Sequence, residues 1–129
     1  MGKKNVVVEG LAKLPAFCQA VVAGDFIYVS GTLGSKPNSL ELVEGGTGPQ
    51  TTQTLRNIAK ILAACGATFK DVVKMNVFLT DMSTFAEMNQ AYMEILGSDP
   101  PARITVGCAE LALGAAVEID CIAYKSESE

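Results

Sequence analysis

Apolar residues recur along this chain in two rhythms. Over residues 71–80 they alternate: Val73, Met75, Val77 and Leu79 fall on one face, Lys74, Asn76 and Thr80 on the other. A period of two predicts a half-buried strand. Over 49–65 the period lengthens, with Leu55, Ile58, Ala59, Leu62 and Cys65 at helical spacing and Gly66 as a stop. Thr47 and Gln50 ahead of this run have the form of a capping box, a hydroxyl with a glutamine three residues on. Thr84 and Glu87 repeat that form before the stripe Phe85, Met88, Tyr92 and Ile95, which Gly97 and Pro100-Pro101 end.

Shorter runs fill the rest. Val6-Val7-Val8 reads as an edge strand. The runs 17–22 and 26–29 flank Ala23-Gly24-Asp25, a tight hairpin. Residues 32–39, with Gly34, Pro37 and Asn38, form a loop. Two strands follow the second helix, 103–110 and 116–125, joined by Leu111-Ala112-Leu113-Gly114. The predicted order is β-β-β-α-β-α-β-β, an α+β layer with one mixed sheet and both helices on one face. With no repeat and no long linker, 1–129 reads as one domain.

Composition sharpens this picture. Apolar residues make up 49% of the 129, a rich share for so small a core. The strand VEIDCIAY is apolar at Val117, Ile119, Cys121 and Ala123 and partly so on its other face. Both facts predict that another copy of the chain covers the second face of the sheet.

Charge and missing residue types exclude whole classes of function. The formal net charge is −4, and Lys3-Lys4 is the only adjacent basic pair, so nucleic acid is not an expected partner. No apolar run approaches ~18 residues, so no membrane span is expected. The start MGKKNVVVEG has no long apolar stretch after its lysines, and Val6 stands where myristoylation needs a hydroxyl. A cytoplasmic location is the expectation. Cys18, Cys65, Cys108 and Cys121 form no C-x-x-C pair and read as buried small hydrophobes, three in strands and one at a helix end. Histidine is absent, which removes Ser-His-Asp and Cys-His catalysis, His-ligated zinc and a histidine base. There is no G-x-G-x-x-G and no Walker loop, so no nucleotide, metal or other cofactor is expected.

A few polar positions stand out against this background. Arg103 opens a strand straight after Pro-Pro-Ala. It is either a solvated or ion-paired strand end, or an anion clamp whose planar fork can hold a carboxylate by two parallel hydrogen bonds. Thr105, Gly107 and Ala109 on its face are small and would leave a groove beside it. Glu118 and Asp120 share one face of an otherwise apolar strand. They are either a solvated edge or a desolvated acid–base group. Hairpin pairing about Leu113 would set Arg103 opposite Ala123, not Glu118. The two charges would then meet only through a bulge, another strand order or a neighbouring subunit. Asn89 lies beside the stripe of the second helix, as a flank residue or a ligand contact. Ser30-Gly31 ends a strand, and Lys36 and Lys60 read as solvated.

Four stretches together resemble the RidA (YjgF) family of imine deaminases. They are YVSGTLG at 28–34, NIAKILAACGATFKDVVKMNVFLTDMSTFAEMNQAY at 57–92, PARITVGCAEL at 101–111 and VEIDCIA at 117–123. The resemblance runs from about residue 13 to 125. It implies a chorismate-mutase-like fold in a homotrimer, with an inner β-barrel and a cleft at each subunit interface. The implied activity is hydrolysis of 2-imino or enamine acids, such as 2-iminobutanoate and 2-iminopropanoate, to 2-oxo acids and ammonia. Arg103 would bind the substrate carboxylate and Glu118 would position and activate water. The backbone at Thr105 would touch ligand, where many members carry cysteine. Ser30 and Gly31 would line the cleft, and Asn89 would contribute from the neighbouring chain. Phe17 stands where tyrosine is usual, so any role of that hydroxyl is lost or moved. Competing readings are a non-catalytic trimer that binds a carboxylate metabolite, an endoribonuclease and a holdase chaperone. The acidic charge and missing histidine speak against the endoribonuclease.

Overall fold

The computed structural model describes residues 2–125. Six strands and two helices appear: β1 (Lys3–Val6), β2 (Ala20–Ala23), β3 (Phe26–Thr32), α1 (Thr47–Ala64), β4 (Val72–Leu79), α2 (Phe85–Leu96), β5 (Ala102–Gly107) and β6 (Val117–Tyr124). They form one mixed sheet in the order β1-β2-β3-β6-β4-β5, so the α+β expectation holds. All neighbours are antiparallel except β4 and β5, which run parallel. A parallel pair needs a crossover, and α2 supplies it.

The core lies between the helices and one face of the sheet. Leu55, Ile58, Ile61 and Leu62 of α1 and Met88 and Tyr92 of α2 pack on Met75, Val77, Leu79, Val117, Ile119 and Cys121. Each large side chain buried this way contributes about 1.5–3 kcal/mol. The opposite face is open. Phe26, Tyr28, Ile104, Val106 and Tyr124 are all exposed there, with Phe26 and Tyr124 edge to face at 5.2 Å.

Several local expectations fail. The last two strands are not a hairpin: β4 lies between them. After β5 the chain crosses the end of β4, where Cys108 N donates to Leu79 O and Thr80 N to Ala116 O. Only then does β6 begin, on the far side. The alternation in β4 breaks at its start, because the β4–β6 register shifts between Val72 and Lys74. Val72 therefore points inward and Val73 is 48% exposed.

Neither predicted capping box forms. Gly46 caps α1 without a side chain, while the Thr47 hydroxyl donates to that of Thr84 and Gln50 Oε1 accepts from Ala116 N. Thr84 precedes α2 but donates to Asp81 O. Tertiary partners have claimed Thr47 and Gln50, while Thr84 is shared between Thr47 and the nearby Asp81 O. The capping box that does form joins Thr68 and Asp71. Finally, β1 stops at Val6 and β2 starts at Ala20, so Phe17 sits in the preceding loop. The hairpin turn at Gly24 is as expected, with φ 61. Of the four free cysteines only Cys121 is buried. Cys18, Cys65 and Cys108 are half-buried, and Cys18 and Cys108 lie outside the strands.

Candidate active site

The sheet builds two separate clusters. The first surrounds Glu118. The β3–β6 register slips between Val29 and Thr32, so Ser30 and Gly31 fall in an irregular step beside β6. Glycine suits such a step because another group can approach its backbone closely. Here that group is the Glu118 carboxylate, which occupies the space a methyl on Gly31 would take. Burial, and then the charge of Asp120, hold the Glu118 carboxyl above the usual carboxylate range. Asp120 itself accepts a hydrogen bond from Asn76 Nδ2 at 2.7 Å.

A cavity of about 450 Å³ opens at this step, lined in part by Leu14, Phe17, Ser30, Gly31, Leu113 and Glu118. Ser30 works for the wall rather than the space, since its hydroxyl donates to Cys18 O at 2.6 Å and so ties down the segment that carries Phe17. Leu113 sits on the rim, 57% exposed and in the left-handed conformation at φ 60, ψ 18. A leucine there stores strain.

Two buried amides that sequence reasoning missed shape the walls. Gln19 Oε1 accepts from Val8 N and its Nε2 donates to Ala12 O. Asn57, wholly buried on α1, donates to Leu33 O at 3.0 Å and Ser35 O at 3.1 Å. The signal was available for Asn57: it is an amide among the apolar positions of a helix, and buried amides need partners.

The second cluster surrounds Arg103, near the start of edge strand β5. Register places Arg103 beside Met75, hence on the helix face. Its Nη1 donates to Asn89 Oδ1 at 2.8 Å. Its Cζ lies 4.6 Å from the Tyr92 ring centre and 5.6 Å from that of Phe85. Among the described residues no acid pairs with it, the one ion pair being Lys36–Glu41. Thr105 shares this face, beside Val77, and its buried hydroxyl has no hydrogen-bond partner among the described residues. Further along β5, Met82 covers Gly107, where an added methyl would meet its Cγ at 2.9 Å. Asn89 belongs to this cluster through a bond within its own chain.

The two clusters do not meet in one chain. Glu118 pairs with Phe78 and so faces away from the helices, whereas Arg103 pairs with Met75 and faces them. Phe17, Ser30, Gly31 and Glu118 come together, as do Asn89, Arg103 and Thr105. Chemically, the first cluster offers an acid–base group beside a largely apolar cavity, the second a cation free to take an anion. No group of three or more potential Cys, Asp or Glu metal ligands occurs among the described residues. No described helix is long and apolar enough to cross a membrane.

Comparisons with known proteins show what the whole chain is similar to. The family model described as Endoribonuclease L-PSP matches residues 9–125. The 2-iminobutanoate/2-iminopropanoate deaminase of Bos taurus is 42% identical over 118 residues, 88% of this chain and 86% of its own. The crystal structure of RidA from the Antarctic bacterium Psychrobacter superposes with a TM-score of 0.84 at 41% identity, covering 90% of this chain and 94% of that one. TdcF of E. coli, solved with bound serine, gives a TM-score of 0.84 at 27% identity over 95% of this chain and 100% of its own.

Proposed function

The chain belongs to the RidA (YjgF) family, and on that premise we propose that it hydrolyses 2-imino acids to 2-oxo acids and ammonia, with the site completed between subunits of a homotrimer. The observation that carries this reading is the half-buried guanidinium of Arg103, which has no acidic partner among the described residues. A cation so placed calls for an anion from outside, and a carboxylate matches its fork. The named activity of the bovine relative and the serine bound to TdcF fit a small amino-acid-like carboxylate. The open apolar face of the sheet supplies surface for a partner copy. Packing one subunit's β5 edge near its neighbour's β3–β6 step would bring an Arg103 cluster to a Glu118 cluster.

In that cleft Arg103 holds the substrate carboxylate and sets the C=N carbon before Glu118. The raised affinity of Glu118 for a proton lets it serve in both directions. It protonates the imine nitrogen, then takes a proton from the attacking water as the C–O bond forms. The resulting carbinolamine receives that proton on nitrogen. Its hydroxyl proton passes to the carboxylate as C=O forms and the C–N bond breaks, releasing ammonia. One water is consumed and the acid is restored. Backbone at Gly31 and Thr105 would line the ligand, and Phe17 would offer an apolar wall where a hydroxyl is usual. An RNA-cleaving role fits less well with a net charge of −4 and no histidine.

The test is ammonia release from an imino acid generated in situ by an amino-acid oxidase. Wild type should outpace the spontaneous rate, and Arg103→Ala and Glu118→Gln should both lose that gain. No acceleration by wild type across several imino acids would overturn the reading.

A further inference from the structure

We propose that Asn89, Phe85 and Tyr92 form a neutral collar that aims Arg103 while leaving its charge free for a substrate carboxylate. The inference rests on the reading of Arg103 as the carboxylate clamp and adds what holds that clamp.

An arginine at the mouth of an edge strand would ordinarily range through many rotamers, and a carboxylate would have to order it. Here three groups of α2 fix it. Asn89 takes one N–H at 2.8 Å, and two aromatic rings lie 4.6 and 5.6 Å from the guanidinium carbon. Arginine has five N–H donors, so the Asn89 bond leaves most of the fork available.

The chemistry of the holders matters as much as their position. An acid in place of Asn89 would grip the cation more strongly but would also neutralise it. An amide oxygen and two ring faces attract the guanidinium with no net charge of their own. Tyr92 fits this pattern, being 3% exposed with a hydroxyl that has no hydrogen-bond partner among the described residues. Burial holds its phenol in the neutral form, against the smaller opposing pull of Arg103. A phenolate there would act as an internal counter-ion. The holders come from positions 85, 89 and 92, spaced three and four apart, so one helical face presents all three.

Asn89→Asp separates this role from mere packing, because it keeps shape and adds only a charge at the guanidinium. The KM for an imino acid should rise about ten-fold or more with kcat little changed. Binding of 2-oxobutanoate, followed by titration calorimetry, should weaken by a similar factor, while binding of its neutral amide should not. Tyr92→Leu should also raise KM, and Tyr92→Phe, which restores the ring, should recover it. Melting temperatures identify any variant that fails to fold, and Asn89→Asp, half-exposed and near-isosteric, keeps the test open if Tyr92→Leu does not fold.

The inference falls if Asn89→Asp keeps wild-type KM and wild-type 2-oxobutanoate affinity while wild type is active. That result leaves the deaminase reading standing. If wild type binds 2-oxobutanoate but does not speed deamination, the deaminase reading falls. A selective loss of acid over amide binding in Asn89→Asp would then still uphold the collar. Failure of wild type to prefer 2-oxobutanoate over its amide overturns the collar outright.

Discussion

The Glu118 and Arg103 clusters solve opposite problems with the same sheet. Glu118 sits on an interior strand, β6, and is crowded by its own chain until its proton is held more tightly. Arg103 sits on an edge strand, β5, steadied by neutral groups and left without a counter-charge among the described residues. One cluster has a cavity and no cation. The other has a cation and no acid beside it among the described residues. Each supplies what the other lacks, and alternation along paired strands keeps them on opposite faces of one chain. Under the proposed function, a polar site divided this way would give two copies a chemical reason to assemble as well as an apolar one.

The sharpest break of this comparison is to inactivate the halves separately and recombine them. Arg103→Ala and Glu118→Gln alone should each lose about 10²-fold or more in kcat/KM. Unfolding and refolding equal amounts of the two variants together should restore part of the activity, since about one interface in four would pair an intact Arg103 with an intact Glu118. No recovery in the mixture, with mixed assembly verified by differently tagged chains, would mean that both residues act from one chain.

Gly31→Ala should come next in size. The added methyl takes the space of the Glu118 carboxylate, so kcat should fall by about ten-fold or more while 2-oxobutanoate still binds through Arg103. An unchanged kcat would show that Glu118 has room to move aside.

A smaller effect concerns stability. Because the Glu118 pKa is raised, the folded chain holds that proton at pH values where the unfolded chain has released it. Folding is therefore penalised as pH rises from the ordinary glutamate range through the raised value, and the penalty persists above it. Glu118→Gln removes the ionisation. It should raise the melting temperature at neutral pH, with the advantage vanishing below the ordinary glutamate range. An advantage of the same size at every pH would sink this account.

The smallest change belongs to the rim. Leu113→Gly should relieve a left-handed leucine, worth about 1 kcal/mol before the gain in unfolded-state freedom is set against it. Chemical denaturation should show a shift near or just above zero, and a clear loss would mean that Leu113 packs on a neighbour.

The sequence carried the elements well where a single face decides them. Alternation marked β4, and the apolar stripes marked both helices. Glu118 was visible as an acid among Val117, Ile119 and Cys121. Arg103 was visible by its place, but not its company. That company depends on β5 pairing parallel to β4, a non-local choice that a short link to β6 made look like a hairpin. Val73 misled because a register shift leaves no mark in the order of residues. Thr47 and Gln50 carried valid capping signals, overridden by partners remote in sequence, and Thr84 is taken up by Thr47 and by the nearby Asp81 O. Gln19 and Asn57 pin loops whose courses only the fold reveals.

The position of β6 has a consequence for the order of synthesis. It follows every strand it binds, yet it lies between β3 and β4. While the chain emerges, β1-β2-β3 and β4-β5 can form only as two separate ribbons, each with an unpaired inner edge. The long-range pairing that joins them waits for residues 117–124 and carries the slow kinetics of non-local contacts. Glu118 travels on that joining strand, so the carboxylate arrives in the same event that completes the sheet.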